Sequence, residues 1–259
     1  MSTKPSTTVT FLGSGTSSGV PMIGCQCEVC LSSNKKDKRL RSSILIETEQ
    51  SSIVIDTGPD FRTQMLESKV TDLDAVIITH SHKDHIAGLD DVRAFNFFHK
   101  KSIPVFGSYD TLERLKVEFY YAFNNDGIPG KPMLTLEEIN SKPFTVNELE
   151  FIPILVWHYK MPVLGFRIDK LTYITDANYI EDASKELIKG SEILIINALR
   201  KEKHISHFTL NEAIALGQEL AIPNVYLTHI SHQMGLHQEV TQLLPEGFHL
   251  SYDGLQLKY

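Results

Sequence analysis

An α/β fold of sheets packed on one another and covered outside by helices is what this 259-residue chain predicts. Three observations carry that expectation. Short β-rich apolar runs end at polar or glycine-rich turns, the runs fall in pairs and groups in both halves of the chain, and helical stretches lie between them. In the first half, Val9 to Leu12, Ser43 to Glu47, Ser52 to Asp56 and Ala75 to Thr79 read as strands. Helices are expected from Phe61 to Val70 and from Leu112 to Phe123, the latter with Asp110 and Glu113 spaced like a capping box. Strands follow at Phe151 to Trp157, Gly165 to Ile168, Leu171 to Thr175 and Glu192 to Asn197. A helix from Thr209 to Leu220, a strand from Val225 to Thr228 and terminal strands within Phe248 to Leu257 complete the chain. No repeat, low-complexity tract or linker-like composition shift divides it, so residues 1–259 are expected to form one domain. On periodicity alone a simple alternating βαβ fold stays open.

A composition of 42% hydrophobic and 22% charged residues is ordinary for a globular chain, and one this long buries a core without disulfide staples. The net charge of −7 argues against a general binder of nucleic acid or membrane surfaces, both of which are anionic. A small phosphorylated substrate stays compatible, because a cluster of metal ions reverses the field locally. The opening MSTKPSTTVTFLGSG has no apolar run suited to a signal peptide, and nothing downstream reaches the roughly 18 apolar residues of a membrane span. A cytoplasmic protein is expected. Its three cysteines, Cys25, Cys27 and Cys30, are odd in number and closely spaced, which suits a metal site better than a disulfide framework.

The densest chemistry lies in Thr79-His80-Ser81-His82-Lys83-Asp84-His85, directly after the apolar strand Asp74 to Ile78. Three imidazoles and a carboxylate within six residues form a metal-ligand set. In extended chain His80 and His82 point the same way and can share one ion, while Asp84 and His85 begin a turn that faces a second position. His158, Asp176 and His229 each close a strand-like run in the same way. Taken singly, Asp176 reads as a turn residue and the two histidines as hydrogen-bonded core groups; three repeats of one placement favour a common site.

This pattern resembles the metallo-β-lactamase superfamily, whose H-x-H-x-D-H motif is matched by His80, His82, Asp84 and His85. The resemblance implies an αβ/βα sandwich, two mixed sheets flanked by helices, with two divalent metals (zinc or manganese, or iron) at the strand ends. It assigns His80, His82 and His158 to the first metal, Asp84, His85 and His229 to the second, and Asp176 to a bridge. It makes Asp56 a residue that orients a ligating histidine. The chain is most similar to the branch of phosphoribosyl 1,2-cyclic phosphate phosphodiesterases, through Phe11-Leu12-Gly13-Ser14-Gly15-Thr16, Gly24-Cys25-Gln26-Cys27 with Cys30, Thr228-His229-Ile230-Ser231-His232-Gln233 and Tyr252-Asp253-Gly254. Three thiolates suit tetrahedral zinc but leave one ligand missing. In that branch the missing ligand is the residue matched by His232, giving a structural zinc loop at about residues 24–31.

The chemistry that follows is hydrolysis of a small phosphodiester, such as 5-phosphoribosyl 1,2-cyclic phosphate, by a metal-bridged hydroxide with a histidine general acid. Asp84 is expected to serve catalysis as well as metal binding. His207 is the candidate acid: it lies just ahead of Thr209 and Glu212, which have capping-box spacing, so a helix N-terminus would favour phosphate beside it. A plain exposed histidine before a cap is the bland alternative. The Gly13 to Gly19 loop would bring backbone groups to a phosphate, although tight-turn geometry is the commoner reason for such glycines. Three rival functions stay open: a tRNA 3′-end endonuclease, a thioester or lactam hydrolase on the same fold, and a non-catalytic metal-binding module. The endonuclease is disfavoured by the acidic balance and the absence of a long basic arm. The resemblance also implies a homodimer. No membrane or nucleic-acid partner is expected.

Overall fold

Nearly every apolar run read from the sequence becomes a strand in one of two seven-stranded sheets in the computed structural model, which describes residues 6–124, 127 and 129–259. The first five residues of the stretch read for a signal peptide lie outside the described residues. The first sheet holds β1 (Thr8–Gly13), β2 (Ser43–Glu47), β3 (Ser52–Ile55), β4 (Ala75–Ile77), β5 (Ile103–Gly107) and β6 (Leu134–Glu138). The second holds β7 (Phe144–Val146), β8 (Leu149–His158), β9 (Met161–Ile168), β10 (Leu171–Ile174), β11 (Ile193–Asn197), β12 (Asn224–Thr228) and β13 (Phe248–Leu250). A last strand, β14 (Gln256–Lys258), returns to the first sheet and pairs with β1, so the orders are β14-β1-β2-β3-β4-β5-β6 and β13-β12-β11-β10-β9-β8-β7. Each sheet is mixed. Its strands pair antiparallel at one side (Leu45 opposite Val54, Ile154 opposite Gly165) and parallel at the other (Val54 beside Val76, Ile195 beside Tyr226).

Strand alternation sorts the core into layers. Ile44, Ile46, Ile53 and Ile55 point between the sheets, where they meet Phe151, Phe166, Tyr173 and Ile195 of the second sheet. Leu45 and Val54 point outward, beneath α2 (Phe61–Ser68) after the short α1 (Glu28–Leu31) and before α3 (Lys83–Ile86), α4 (Arg93–His99), α5 (Tyr109–Glu118) and α6 (Tyr120–Phe123). On the far side Ile154, Ile174, Ile196 and Leu227 pack with residues of α7 (Asp182–Ile188), α8 (Leu210–Glu219) and α9 (His237–Leu243). The result is the four-layer αβ/βα sandwich that the resemblance implied, and it excludes the simple alternating βαβ alternative.

Two local expectations fail. The helix expected at Leu112 begins at Tyr109, because Ser108 rather than Asp110 takes the N-cap and accepts from the Thr111 N–H. Asp110 instead sits in the first turn, where a carboxylate favours the helix dipole. That helix stops at Phe119, which leaves helical geometry (φ −116°, ψ 36°), and a separate short turn completes the stretch. Strand β4 ends at Ile77 rather than Thr79, and the chain turns before the histidine motif. Among the described residues, no helix is long and apolar enough to cross a membrane.

Candidate metal centre

Asp56 lies behind the cluster. It follows β3 in a left-handed conformation (φ 67°) and is wholly buried. Its carboxylate accepts from the Thr79 N–H at 2.9 Å and the Thr79 hydroxyl at 2.8 Å, and lies 2.7 Å from His85 Nδ1. With its proton given to Asp56, the Thr79 oxygen is left to accept from His80 Nδ1 at 3.0 Å. One carboxylate thus makes Nδ1 the donor on both His80 and His85 and leaves both Nε2 atoms free to face inward. His158, the last residue of β8, is turned the same way: its Nδ1 donates to the Ser206 carbonyl at 2.8 Å.

Asp176, just past β10, is the hub. Its Oδ1 lies 3.3 Å from His229 Nε2 and 3.4 Å from His85 Nε2, and its Oδ2 lies 3.8 Å from His207 Nδ1 and 4.0 Å from His80 Nε2. Asp84 Oδ2 adds contacts of 3.2 Å to His85 Nε2 and 3.6 Å to His229 Nε2. Burial alone would raise both carboxyl pKa values, but the surrounding imidazoles outweigh it and hold Asp84 and Asp176 well below the usual range. Burial likewise opposes a proton on His85, yet the carboxylates of Asp56, Asp176 and Asp84 push its pKa well above the ordinary value. For His80 burial wins, helped by His85, and its pKa falls well below normal.

The donor set fits a metal on one further observation. His80 Nε2, His85 Nε2, His207 Nδ1 and both ring nitrogens of His229 are buried without a hydrogen-bond partner among protein groups. An orphaned buried polar atom costs about 1–3 kcal/mol, so five in one cluster around two carboxylates call for a bound cation. Nitrogen and oxygen donors of this kind suit zinc, manganese or iron. The ligand atoms converge within 4.8 Å in three overlapping sets: His80, His85 and Asp176; Asp84, His85 and His229; His158, Asp176 and His207.

The grouping differs in part from the expected one. His82 joins none of the three sets; its exposed ring lies 4.7 Å from that of His80 and 5.2 Å from that of His158. His207, expected beside the metals, comes into the set itself and stacks on His229 with ring centres 4.7 Å apart. Burial and the neighbouring His229 bring its pKa down to about 2, so in the protein alone this ring is neutral. The capping box after it is present, with Thr209 Oγ1 accepting from the Glu212 N–H and Glu212 accepting from the Thr209 N–H. That box, together with a Leu210 N–H bond to the Arg200 carbonyl, engages the Thr209, Leu210 and Glu212 N–H groups at the helix start. The glycine-rich loop also differs from the phosphate-binding reading. A Cβ on Gly13 would lie 1.9 Å from the Arg41 carbonyl oxygen, and the loop pairs with Ile230, next to His229. Close backbone packing explains these glycines.

Cys25, Cys27, Cys30 and His232 also converge within 4.8 Å, with His232 Nδ1 3.5 Å from Cys25 Sγ and 3.3 Å from Cys27 Sγ. The Cys30 backbone N–H and then His232 lower the Cys27 pKa to about 6, whereas burial raises that of Cys30 to about 11. The loop and the main cluster are joined by the three-residue step from His229 to His232.

Comparisons with known proteins agree with this architecture. Residues 51–230 match the beta-lactamase superfamily domain. An octanoyltransferase of Porphyromonas gingivalis is 40% identical over 249 residues, which cover 95% of this chain but 50% of that protein; the chain therefore spans about half the length of this relative. A ribonuclease Z of Methanopyrus kandleri is 22% identical over 85% of this chain and 92% of its own length. Among solved structures, a new diphosphatase from the PhnP family has a TM-score of 0.92 at 38% identity, covering 98% of this chain and 97% of its own. Zinc-bound PqqB from Methylobacterium extorquens shares the fold at a TM-score of 0.81 and 19% identity, over 96% of this chain and 99% of that one.

Proposed function

Since this chain belongs to the metallo-β-lactamase superfamily and is a metal-dependent hydrolase, we propose that it hydrolyses a small phosphoric diester, 5-phosphoribosyl 1,2-cyclic phosphate being the reference substrate. The observation that carries this reading is the set of inward-facing, partnerless imidazole nitrogens around Asp176. Likeness over almost the whole chain to a diphosphatase directs that set toward phosphorus, and it also favours a second reading, a disubstituted diphosphate. The octanoyltransferase is twice this chain's length, and acyl transfer is not carried over from it.

In this reading His80, Asp84, His85, His158, Asp176 and His229 hold two divalent cations, zinc or manganese or iron, with His82 at the solvent side of the same set. Cys25, Cys27, Cys30 and His232 hold one structural zinc. Divalent cations supply charge neutralisation for a phosphate and make water nucleophilic near neutral pH. The remaining work falls to this chain's own groups. Asp56 and Thr79 keep His80 and His85 in the tautomer with Nε2 inward. His207, placed between His158 and His229 with a ring nitrogen toward Asp176, is the group from which the leaving oxygen would take its proton; it would do so as the imidazolium, a form that an anionic phosphate bound beside it favours, and return to the neutral ring. Asp84 holds His85 and His229 at the face where water is used.

The test is turnover of 5-phosphoribosyl 1,2-cyclic phosphate and of dimethyl diphosphate by manganese-loaded protein, with His80→Ala as the blank. Turnover of either that disappears in the blank supports the reading and chooses between its two forms. No turnover of either by fully metal-loaded protein would overturn it. His207→Ala is expected to lose turnover and keep its metals, while Asp176→Ala loses both. Metal loss from His207→Ala would make His207 a ligand instead of an acid.

A further inference from the structure

The turn joining β8 to β9 begins directly after His158 and consists of Tyr159 and Lys160. Tyr159 has φ 58°, a left-handed conformation that bulky side chains seldom adopt and that glycine or asparagine accepts far more readily. Its N–H is held by Asn178 Oδ1 at 2.6 Å, while its ring stays 52% exposed. The ring therefore neither fills the core nor eases the turn. It lines a cleft of about 580 Å³ together with His82, His158, Lys160, Ile205 and Ser206, so ring and metal-facing histidines share one cavity. Ile205, 65% exposed, supplies an apolar surface to the same cleft, and Lys160 Nζ lies 5.3 Å from the Tyr159 ring centre. The guanidinium of Arg200, on the loop leading to Ile205, is engaged by the Glu202 and Lys203 carbonyls and by Gln233, and Lys160 is the cationic side chain among the described residues lining the cleft.

We infer that Tyr159, Lys160 and Ile205 form a base-binding subsite, so that the substrate is a nucleoside-bearing phosphodiester or diphosphate. The inference rests on the phosphodiester reading and narrows it. A planar base stacks on the phenol ring with Ile205 offering apolar contact, Lys160 meets a phosphate oxygen away from the reacting centre, and the reacting phosphorus lies at the His158 end of the cleft. Stacking of this kind tolerates any base, because every base has a π-face. A base-free sugar phosphate reaches the histidines but leaves Tyr159 and Ile205 in water.

Trp157, the single tryptophan of the chain, sits two residues from Tyr159 and reports binding by its fluorescence. The experiment titrates manganese-loaded protein with AMP and with ribose 5-phosphate, confirmed by calorimetry, in the wild type, Tyr159→Phe and Tyr159→Asn. Asparagine suits the left-handed turn, so this variant does not fail through backbone strain. AMP is expected to bind about ten- to a hundredfold tighter than ribose 5-phosphate. The preference should persist in Tyr159→Phe and collapse in Tyr159→Asn. Equal affinity for the two ligands in the wild type, or an unchanged ratio in Tyr159→Asn, would overturn the inference. Because binding is read without turnover, failure to hydrolyse any phosphodiester sinks only the reaction. Equal turnover of adenosine 2′,3′-cyclic phosphate and the base-free cyclic phosphate sinks only the subsite.

Discussion

Asp56 has no atom among the convergent ligand sets, yet it decides which nitrogen His80 and His85 turn toward them. Its carboxylate can only accept, so every group facing it must donate, and that fixes the Thr79 hydroxyl and the His85 Nδ1–H in turn. Asn in its place keeps the size and loses this logic. An amide NH₂ facing His85 favours the opposite tautomer, with its proton on Nε2, where a cation needs a lone pair. Asp56→Asn is therefore expected to lower metal affinity about 10- to 100-fold while the chain still folds. Competition with a coloured chelator reads this directly. Wild-type affinity in the variant would show that the buried carboxylate serves packing alone.

At the scale of elements, the site depends on how closely the turn after β3 approaches α3, which carries Asp84 and His85. A Cβ on Gly58 would lie 2.1 Å from the Asp84 carbonyl oxygen, and backbone cannot swing away as a side-chain tip can. Gly58→Ala must shift α3 by about an ångström. Overpacking of this kind costs about 1–3 kcal/mol, and a misplacement of that size costs about 100-fold in turnover. Gly107→Ala is the control, since its Cβ meets only the Leu112 and Thr111 side chains at 3.1 Å or more. Thermal unfolding and kcat of the two variants decide the matter; equal activities would mean that α3 is not held by this contact. The same segment shows what was legible in the sequence. His80, His158, Asp176 and His229 are legible because each closes or follows an apolar strand-like run, and the structure brings all four into one cluster. The pairing expected of His80 and His82 assumes an extended strand past Ile77, where β4 ends. The chain instead turns, with His82 as the N-cap of α3 and its exposed ring beside those of His80 and His158. The sequence carries no clear strand signal at β5, where Pro104 interrupts the pattern, or at β6, a half-exposed edge. The entry of His207 into the ligand set depends on the packing of its loop against β8 and β12, contacts across 49 and 22 residues that no local window contains.

Across the whole molecule, both candidate metal centres lie on the seam between the two sheets. His80, Asp84 and His85 follow β4 of the first sheet, whereas His158, Asp176, His207 and His229 come from the second. The cysteine loop repeats the arrangement, with Cys25, Cys27 and Cys30 between β1 and β2 and His232 after β12. Cations bound at these places tie the sheets together and stabilise the folded state by mass action, about 2.7 kcal/mol for each site at a free concentration of 100 times its Kd. Stripping them should nevertheless leave a folded chain. In the metal-free cluster Asp56, Asp176 and Asp84 hold the proton on His85, which offsets part of their negative charge, and the apolar layer between the sheets is unaffected. Chelation is thus expected to lower the unfolding midpoint by several degrees and to make it depend on free metal, while far-ultraviolet circular dichroism stays unchanged. His80→Ala, which damages the main cluster but spares the cysteine loop, should fall between the loaded and stripped proteins. A midpoint indifferent to chelation would mean that the seam is held by the apolar layer alone, and a chelated protein without secondary structure would mean that the cations are needed to fold it.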